Sequence, residues 1–106
     1  MSCILTVPAG NVSWLTVSFF DKDGLPATPA TVDYKIICLT TGTVINATGS
    51  ITPTGPVEEI EITAAENAIV NAINTREHRR VIVTAGYGAA KDHVEAYDYY
   101  VRNLNL

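Results

Sequence analysis

The sequence predicts an all-β protein, a β-sandwich of seven to eight strands with one short helix near residues 64–73. Two observations predict the strands: apolar residues alternate with polar ones in most runs, and Gly, Pro, Asn and Asp recur between these runs about every eight to twelve residues. A change to helical spacing after residue 63 predicts the helix. Residues 1–106 are expected to form a single domain, since two cores of half this size would bury too little surface to offset chain entropy.

Composition narrows the class of protein. Apolar residues make up 47% of the chain, too many for a disordered tail, and no apolar run reaches the ~18 residues that would span a bilayer. The formal net charge of −4 disfavours nonspecific binding to nucleic acid or to an anionic membrane. The first residues lack the basic and long apolar regions of an export signal. We therefore expect Cys3 and Cys38 to be reduced, small core residues rather than a disulfide.

The first two predicted strands cover residues 2–7 and 12–20. In the second, Leu15, Val17 and Phe19 share one face, whereas the other face alternates polar residues with Trp14 and Phe20. A strand that is apolar on one side and mixed on the other fits one sheet of a sandwich. The pattern favours Trp14 as a cap on one end of the core. The alternative is that Trp14 and Phe20 form a partly exposed apolar surface.

The segment Asp21-Lys22-Asp23-Gly24 is predicted to be a turn, with Gly24 at positive φ. A calcium loop would need further oxygen ligands and a distant bidentate Glu, which the next residues do not supply. Residues 25–30 contain two prolines and are expected to run extended along an edge.

The remaining strands are predicted from period-two alternation and from the turn residues between them. Their expected ranges are 31–39, 43–47, 57–63, 79–87 and 93–103. The run 79–87 is apolar on both faces, which is typical of a central strand.

Thr63-Ala64-Ala65-Glu66 has the pattern of a capping box, and apolar residues follow it at helical spacing. The prediction is a helix of two or three turns that covers one end of the core. An amphipathic helix that binds a partner is the alternative, but so short a helix is marginal alone.

The strand count, the turn spacing and the single late helix favour an immunoglobulin-like or fibronectin type III-like sandwich. A jelly roll or a small barrel is the second choice.

Chemical motifs are nearly absent from the sequence. His78 and His93 have no second His or Cys at a metal-ligand spacing, and both are interpreted as solvated side chains. No nucleophile motif or phosphate-binding loop is present, and Glu58, Glu59 and Glu61 are interpreted as a solvated strand face. We therefore expect no enzymatic activity, no catalytic or metal-binding residues and no cofactor.

The candidate partner-binding residues are two aromatic side chains and three arginines: Trp14, Phe20, Arg76, Arg79 and Arg80. Arginines form bidentate contacts with carboxylates, so the run Arg76-Glu77-His78-Arg79-Arg80 suits an acidic patch on another protein. A solvated start of a strand is the plainer interpretation of this run, and nucleic acid is a weaker alternative. Aromatic side chains suit either a protein interface or a sugar ring.

The order WLTVSFFDKDGLPATPATVDYKI, EIEITAAENAIVN, RRVIVTAGY and EAYDYYVRNL resembles small Ig-like structural proteins of tailed bacteriophages and prophages, over residues 3–104. Such proteins serve as head decoration (cement) proteins or as parts of the tail, neck or fibre. The resemblance implies an adhesive role in the virion of a protein made in the bacterial host cytoplasm. The implied partners are the major capsid protein, tail or neck proteins, and further copies of the chain.

Three functions follow as hypotheses. The first is a virion structural protein, with capsid decoration preferred to a place in the tail, neck or fibre. The second is a module that binds host-surface glycans through the aromatic side chains. The third is a small enzyme, which the absence of a nucleophile–base pair disfavours.

Overall fold

The computed structural model describes residues 5–21, 23–88 and 92–105. Over these residues the fold is all-β, with seven strands in two sheets. The strands are β1 (Leu5–Pro8), β2 (Ser13–Ser18), β3 (Thr31–Cys38), β4 (Thr43–Ile51), β5 (Val57–Ile62), β6 (Arg76–Gly86) and β7 (Asp92–Arg102).

The larger sheet has the strand order β1-β7-β6-β3-β4, and the smaller sheet pairs β2 with β5. Strand β1 runs parallel to β7, and every other pairing is antiparallel. The central position of β6, between β3 and β7, agrees with the apolar residues predicted on both of its faces.

Both sheets contribute side chains to one hydrophobic core. The smaller sheet and the residue that follows β2 supply Val17, Phe19, Ile60 and Ile62, and the larger sheet supplies Val7, Val32, Ile36, Val81, Val83, Ala85, Tyr99 and Val101. These residues lie at every second position of their strands, so the predicted alternation is confirmed. In β2, β3, β5 and β6 the side chains of one parity face the core, and most of the others lie on the outer face of their sheet.

At two positions the structure explains why the residue is glycine. Gly24 has φ = +79°, and the Asp21 carboxylate accepts the amides of Asp23 and Leu25, so the predicted turn is confirmed. Gly49 on β4 lies against the ring of Tyr34, and a Cβ at this position would overlap that ring.

Some predicted boundaries need correction. The short strand expected at 43–47 continues to Ile51, and the strand expected at 79–87 begins three residues earlier, at Arg76. Cys38 is fully buried on β3, as expected for a small core residue. Cys3, the start of the first predicted strand, and the small-residue loop at Ala89 and Ala90 lie outside the described residues.

The predicted helix at 64–73 is wrong: over the described residues, the chain forms no helix. The capping box itself exists, because the Thr63 amide donates to Glu66 Oε1 at 2.9 Å and the Glu66 amide donates to Thr63 Oγ1 at 3.2 Å. A single helical turn follows, closed by the bond from the Asn67 amide to the Thr63 carbonyl. Two charged side chains bind the backbone groups that would form the helical bond from the Val70 amide to the Glu66 carbonyl. Glu77 accepts the Val70 amide, and Arg79 donates to the Glu66 carbonyl.

None of the described segments forms a helix with the length and apolar character that crossing a bilayer requires.

Candidate partner-binding surfaces

The outer face of the β2–β5 sheet carries exposed aromatic rings beside carboxylates. Trp14 is 57% exposed and Phe20, just beyond β2, is 53% exposed, so the interpretation of Trp14 as a core cap is wrong. Trp14 lies opposite Glu61 in the register of β2 with β5, and Thr16 lies opposite Glu59. No ion pair within the described residues involves either glutamate. We call this surface the acidic aromatic face: Trp14, Phe20, Val57, Glu59 and Glu61.

The charged run at 76–80 is divided between the two faces of β6. Arg76, His78 and Arg80 point outward, whereas Glu77 and Arg79 point into the protein and are completely buried. Period-two alternation produces this division, because residues 77 and 79 share the parity of the core residues Val81 and Val83. Arg79 is therefore not on the surface, and its expected role as a partner-binding residue is corrected.

The three outward side chains meet Asp98 and Tyr100 of β7. Arg80 donates to both oxygens of Asp98, with distances of 2.8 and 3.0 Å. His78 Nε2 lies 3.0 Å from the same carboxylate, so the interpretation of His78 as a freely solvated side chain is also corrected. The hydrogen bonds from Arg80, assisted by His78, outweigh partial burial and lower the pKa of Asp98.

Arg76 and Arg102 occupy the end of the same face. The guanidinium carbon of Arg76 lies over the Tyr100 ring, 4.4 Å from its centroid, in a cation–π contact. Arg76 is directly opposite Arg102 in the β6–β7 register, and within the described residues neither forms an ion pair. Two like charges at opposed positions repel each other, so this arrangement suits a carboxylate from another molecule. We call this surface the arginine face: Arg76, His78, Arg80, Tyr100 and Arg102.

The inward pair is a structural ion pair. Arg79 Nη2 donates to Glu77 Oε1 at 2.8 Å, and both side chains are fully shielded from solvent. Arg79 also donates to the carbonyls of Glu66 and Ala68, while its Nε is buried without a hydrogen-bond partner within the described residues.

Glu77 accepts hydrogen bonds from the loop between β5 and β6. Its donors are the Val70 and Asn71 amides, both at 2.9 Å, and the Asn74 side chain at 3.1 Å. Burial alone would raise the pKa of Glu77, but these bonds and the bond from Arg79 outweigh it and lower the pKa to about 2.

A buried asparagine anchors the same loop from its other side. Asn67 Nδ2 donates to the Asn11 carbonyl and to Ser13 Oγ, and its Oδ1 accepts the hydroxyl of Tyr99 at 2.8 Å. Burial of Tyr99 raises the pKa of its hydroxyl to about 12. The sequence pattern did not mark Glu77, Asn67 or Tyr99 as a buried polar residue with hydrogen bonds to other segments. The parity of residue 77 was a signal for Glu77, but no sequence pattern marked Asn67.

An open groove of about 840 Å³ runs between β2 and the first half of β7. Phe19 and the β6 residues Val83 and Ala85 form its apolar floor, and Tyr97 and Glu95 line the opposite wall. The groove exists because the smaller sheet has only two strands and does not extend over this part of the larger one.

The described residues hold no grouping of three or more His, Cys, Asp or Glu side chains suited to a metal ion. His93 Nε2 contacts Glu95 Oε1 at 2.8 Å, but both side chains are exposed. Glu58 accepts the Thr54 amide, which occupies one of its oxygens in a loop contact. The expectation that the protein is not an enzyme stays a prediction.

Comparisons with protein-family models, with curated proteins and with solved structures found no match to this chain. The resemblance to phage structural proteins therefore stays a prediction.

Proposed function

We propose that the protein is a non-enzymatic structural component of a phage virion, a capsid decoration protein with an immunoglobulin-like β-sandwich that binds the assembled head. A place in the tail, neck or fibre is the alternative location. In either location the protein acts by adhesion through its outer faces.

The strand order supports the immunoglobulin-like assignment. In such sandwiches the third, sixth and seventh strands of the seven-strand pattern form one sheet, and the second and fifth belong to the other. The pairings β7-β6-β3 and β2-β5 have this arrangement. An extra edge strand beside the third strand, here β4, occurs in the variable-type pattern.

The observation that carries the adhesive role is the exposure of Trp14 and Phe20 on one outer face. Large aromatic side chains are enriched at the centres of protein interfaces, where their burial supplies most of the binding free energy. Both rings are more than half exposed, and Trp14 lies opposite Glu61, which has no cationic partner in the described residues. This face suits a partner with an apolar depression bordered by basic residues.

The arginine face supports a second contact, of opposite charge. Arg76 and Arg80, with Arg102, lie on the outer side of the larger sheet, away from Trp14. A protein with two unlike adhesive faces can bridge two neighbours in a shell, and many weak copies together bind strongly.

The test is a mass-spectrometric inventory of intact particles from the source strain, with cryo-electron microscopy of particles with and without the gene. We expect stoichiometric copy numbers and density on the head that disappears with the gene. Density on the tail or neck would support the alternative location. Absence of the protein from intact particles would overturn the proposal.

Variants test whether the acidic aromatic face is the surface that contacts the particle. Trp14→Ala and Phe20→Ala are expected to reduce incorporation into particles, whereas Ile73→Ala, which changes an even more exposed apolar residue in the β5–β6 loop, serves as the control. Equal incorporation of all three variants would exclude the acidic aromatic face as the contact.

Glycan binding is a second candidate function, favoured by the position of Trp14 opposite Glu61. An exposed indole ring stacks on a sugar, and a neighbouring carboxylate accepts hydrogen bonds from its hydroxyl groups. Trp14 is the only tryptophan in the chain, so a saturable fluorescence change during titration with a glycan panel would support this function. No change with any glycan would exclude it.

A further inference from the structure

The core-facing side of β7 is covered along only half of its length. Val101 and Tyr99 are buried, Tyr97 is half-buried, and Glu95 and His93 are exposed, although all five share one parity. The change marks where the β2–β5 sheet ends. Beyond it the inner face of the larger sheet forms the groove beside β2.

The same groove is bordered by an unpaired strand edge. Phe19 donates its amide to the Pro56 carbonyl, which places Phe19 and Pro56 in a hydrogen-bonded pair of the antiparallel register. Because such pairs alternate, Val17 and Leu15 also bond to β5, whereas the backbone groups of Trp14, Thr16 and Ser18 point away from it. No second strand pairs with β2 among the residues that the structure describes.

We propose that this groove binds an extended polypeptide strand from another protein, which adds to the free edge of β2 as a third strand of the smaller sheet. The edge offers three N–H and three C=O groups to the added backbone, and β2 is long enough for about six residues of partner at ~3.3 Å each. Alternate side chains of the added strand enter the groove and pack on the half-buried rings of Tyr87 and Tyr97, while the others face solvent.

The charged side chains that line the groove indicate the composition of the partner strand. Asp21, His93 and Glu95 line the groove, with His93 Nε2 2.8 Å from Glu95 Oε1, and no lysine or arginine is among the described residues that line it. The partner strand therefore carries small apolar residues at every second position and a basic residue at its end. This binding mode does not depend on the virion role, because it uses the backbone edge of β2 and the groove, although Phe20 borders both the groove and the acidic aromatic face.

The experiment selects nine-residue peptides from a random display library on the immobilised full chain and measures the winners as synthetic peptides by fluorescence polarisation. We expect alternating apolar sequences with terminal Lys or Arg. Replacement of Thr16 by Pro removes an N–H from the free edge but leaves the pairing with β5 intact, because edge positions tolerate proline. Thr16→Pro is expected to weaken binding at least about tenfold, and Thr16→Ala less than about twofold.

Three results would overturn the proposal. The first is the absence of any enriched alternating peptide, and the second is equal affinity for peptides whose edge-facing amides are N-methylated. The third is unchanged affinity of Thr16→Pro for the selected peptides, which would show that the added strand does not use the edge of β2. Chemical shift changes confined to the amides of Trp14, Thr16 and Ser18 would support strand addition directly.

Discussion

The two faces of β6 use the same kinds of side chain for different purposes. On the inner face, Glu77 and Arg79 form an ion pair shielded from water and bond to the loop before the strand. On the outer face, Arg80 pairs with Asp98 at the same donor–acceptor distance of 2.8 Å, but its side chain is 40% exposed. Distance alone therefore does not say how much an ion pair contributes to stability.

The two ion pairs differ in what is left without a partner when one member is removed. Removing one member of a buried pair leaves an uncompensated charge, and here it also leaves loop amides or carbonyls without partners. Removing one member of the exposed pair lets water replace the lost contacts. Inner charges hold the 63–75 loop in place, whereas outer charges stay available to other molecules.

The largest effect is expected from Arg79→Met. The substitution leaves the Glu77 carboxylate buried without its cation and the carbonyls of Glu66 and Ala68 without donors. We expect a loss of about 3–5 kcal/mol in the free energy of unfolding, measured by urea denaturation. The matched control, Arg76→Met on the outer face, is expected to change stability by less than about 0.5 kcal/mol. Equal losses in the two variants would show that the buried ion pair contributes no more to the free energy of unfolding than an exposed arginine does.

A double variant sharpens this test. In Glu77→Met with Arg79→Met no charge is left unpaired, but the Val70 and Asn71 amides still lack acceptors. The double variant should therefore remain less stable than the natural chain. Full recovery of stability would mean that the charges, and not the loop contacts, account for the cost.

The contribution of Glu77 on the inner face to the free energy of unfolding should depend on pH in the acid range. Glu77 has an ordinary pKa of 4.5 and a folded pKa of about 2, so the folded protein favours its charged form. Its contribution, about 3 kcal/mol, is complete above the ordinary pKa and is lost as the pH falls from about 4.5 to about 2. Urea denaturation at a series of pH values should show this loss in the natural chain.

The control for acid is Glu77→Gln, which should be less stable at neutral pH and should lose less stability between pH 4.5 and 2. The lowered pKa of Asp98 acts in the same direction and remains in both proteins, so it cancels in the difference. Parallel curves for the two proteins would contradict the assignment of the acid transition to Glu77.

Most of the fold follows from short-range pattern. Alternation of apolar residues placed Val17, Ile60 and Val83 on core-facing sides, and turn residues separated the strands. The strand order did not follow from the sequence, because pairing joins segments far apart in the chain. Strands β1 and β7, which pair in parallel, lie almost at its opposite ends.

The predicted helix at 64–73 does not form because of residues outside that segment, which the local sequence pattern does not reveal. The capping box at Thr63 forms as predicted, yet the acceptor for the Val70 amide is a carboxylate seven residues further on. Propensity and capping describe competition within a segment, and here a buried ion pair from β6 competes from outside it.

Four of the five candidate partner-binding residues chosen from the sequence are at least partly exposed, but the sequence analysis missed that the fifth, Arg79, is buried. Trp14, Phe20, Arg76 and Arg80 do lie at least partly exposed to solvent, but charge clustering alone placed Arg79 beside them. Extending the parity of Val81 and Val83 back by two and four residues would have assigned Arg79 and Glu77 to the interior.

A small effect that depends on salt is expected from Arg80→Met on the outer face. The two hydrogen bonds from Arg80 to Asp98 are open to solvent, so their loss should lower the free energy of unfolding only slightly in low salt, and less as ionic strength rises. The cost of Arg79→Met should change little with salt, because buried charges are poorly screened. Urea denaturation of both variants at about 0.05 and 0.5 M sodium chloride measures the contrast. Similar salt dependence in the two variants would mean that water reaches the inner pair, and the distinction between the two faces of β6 would then fail.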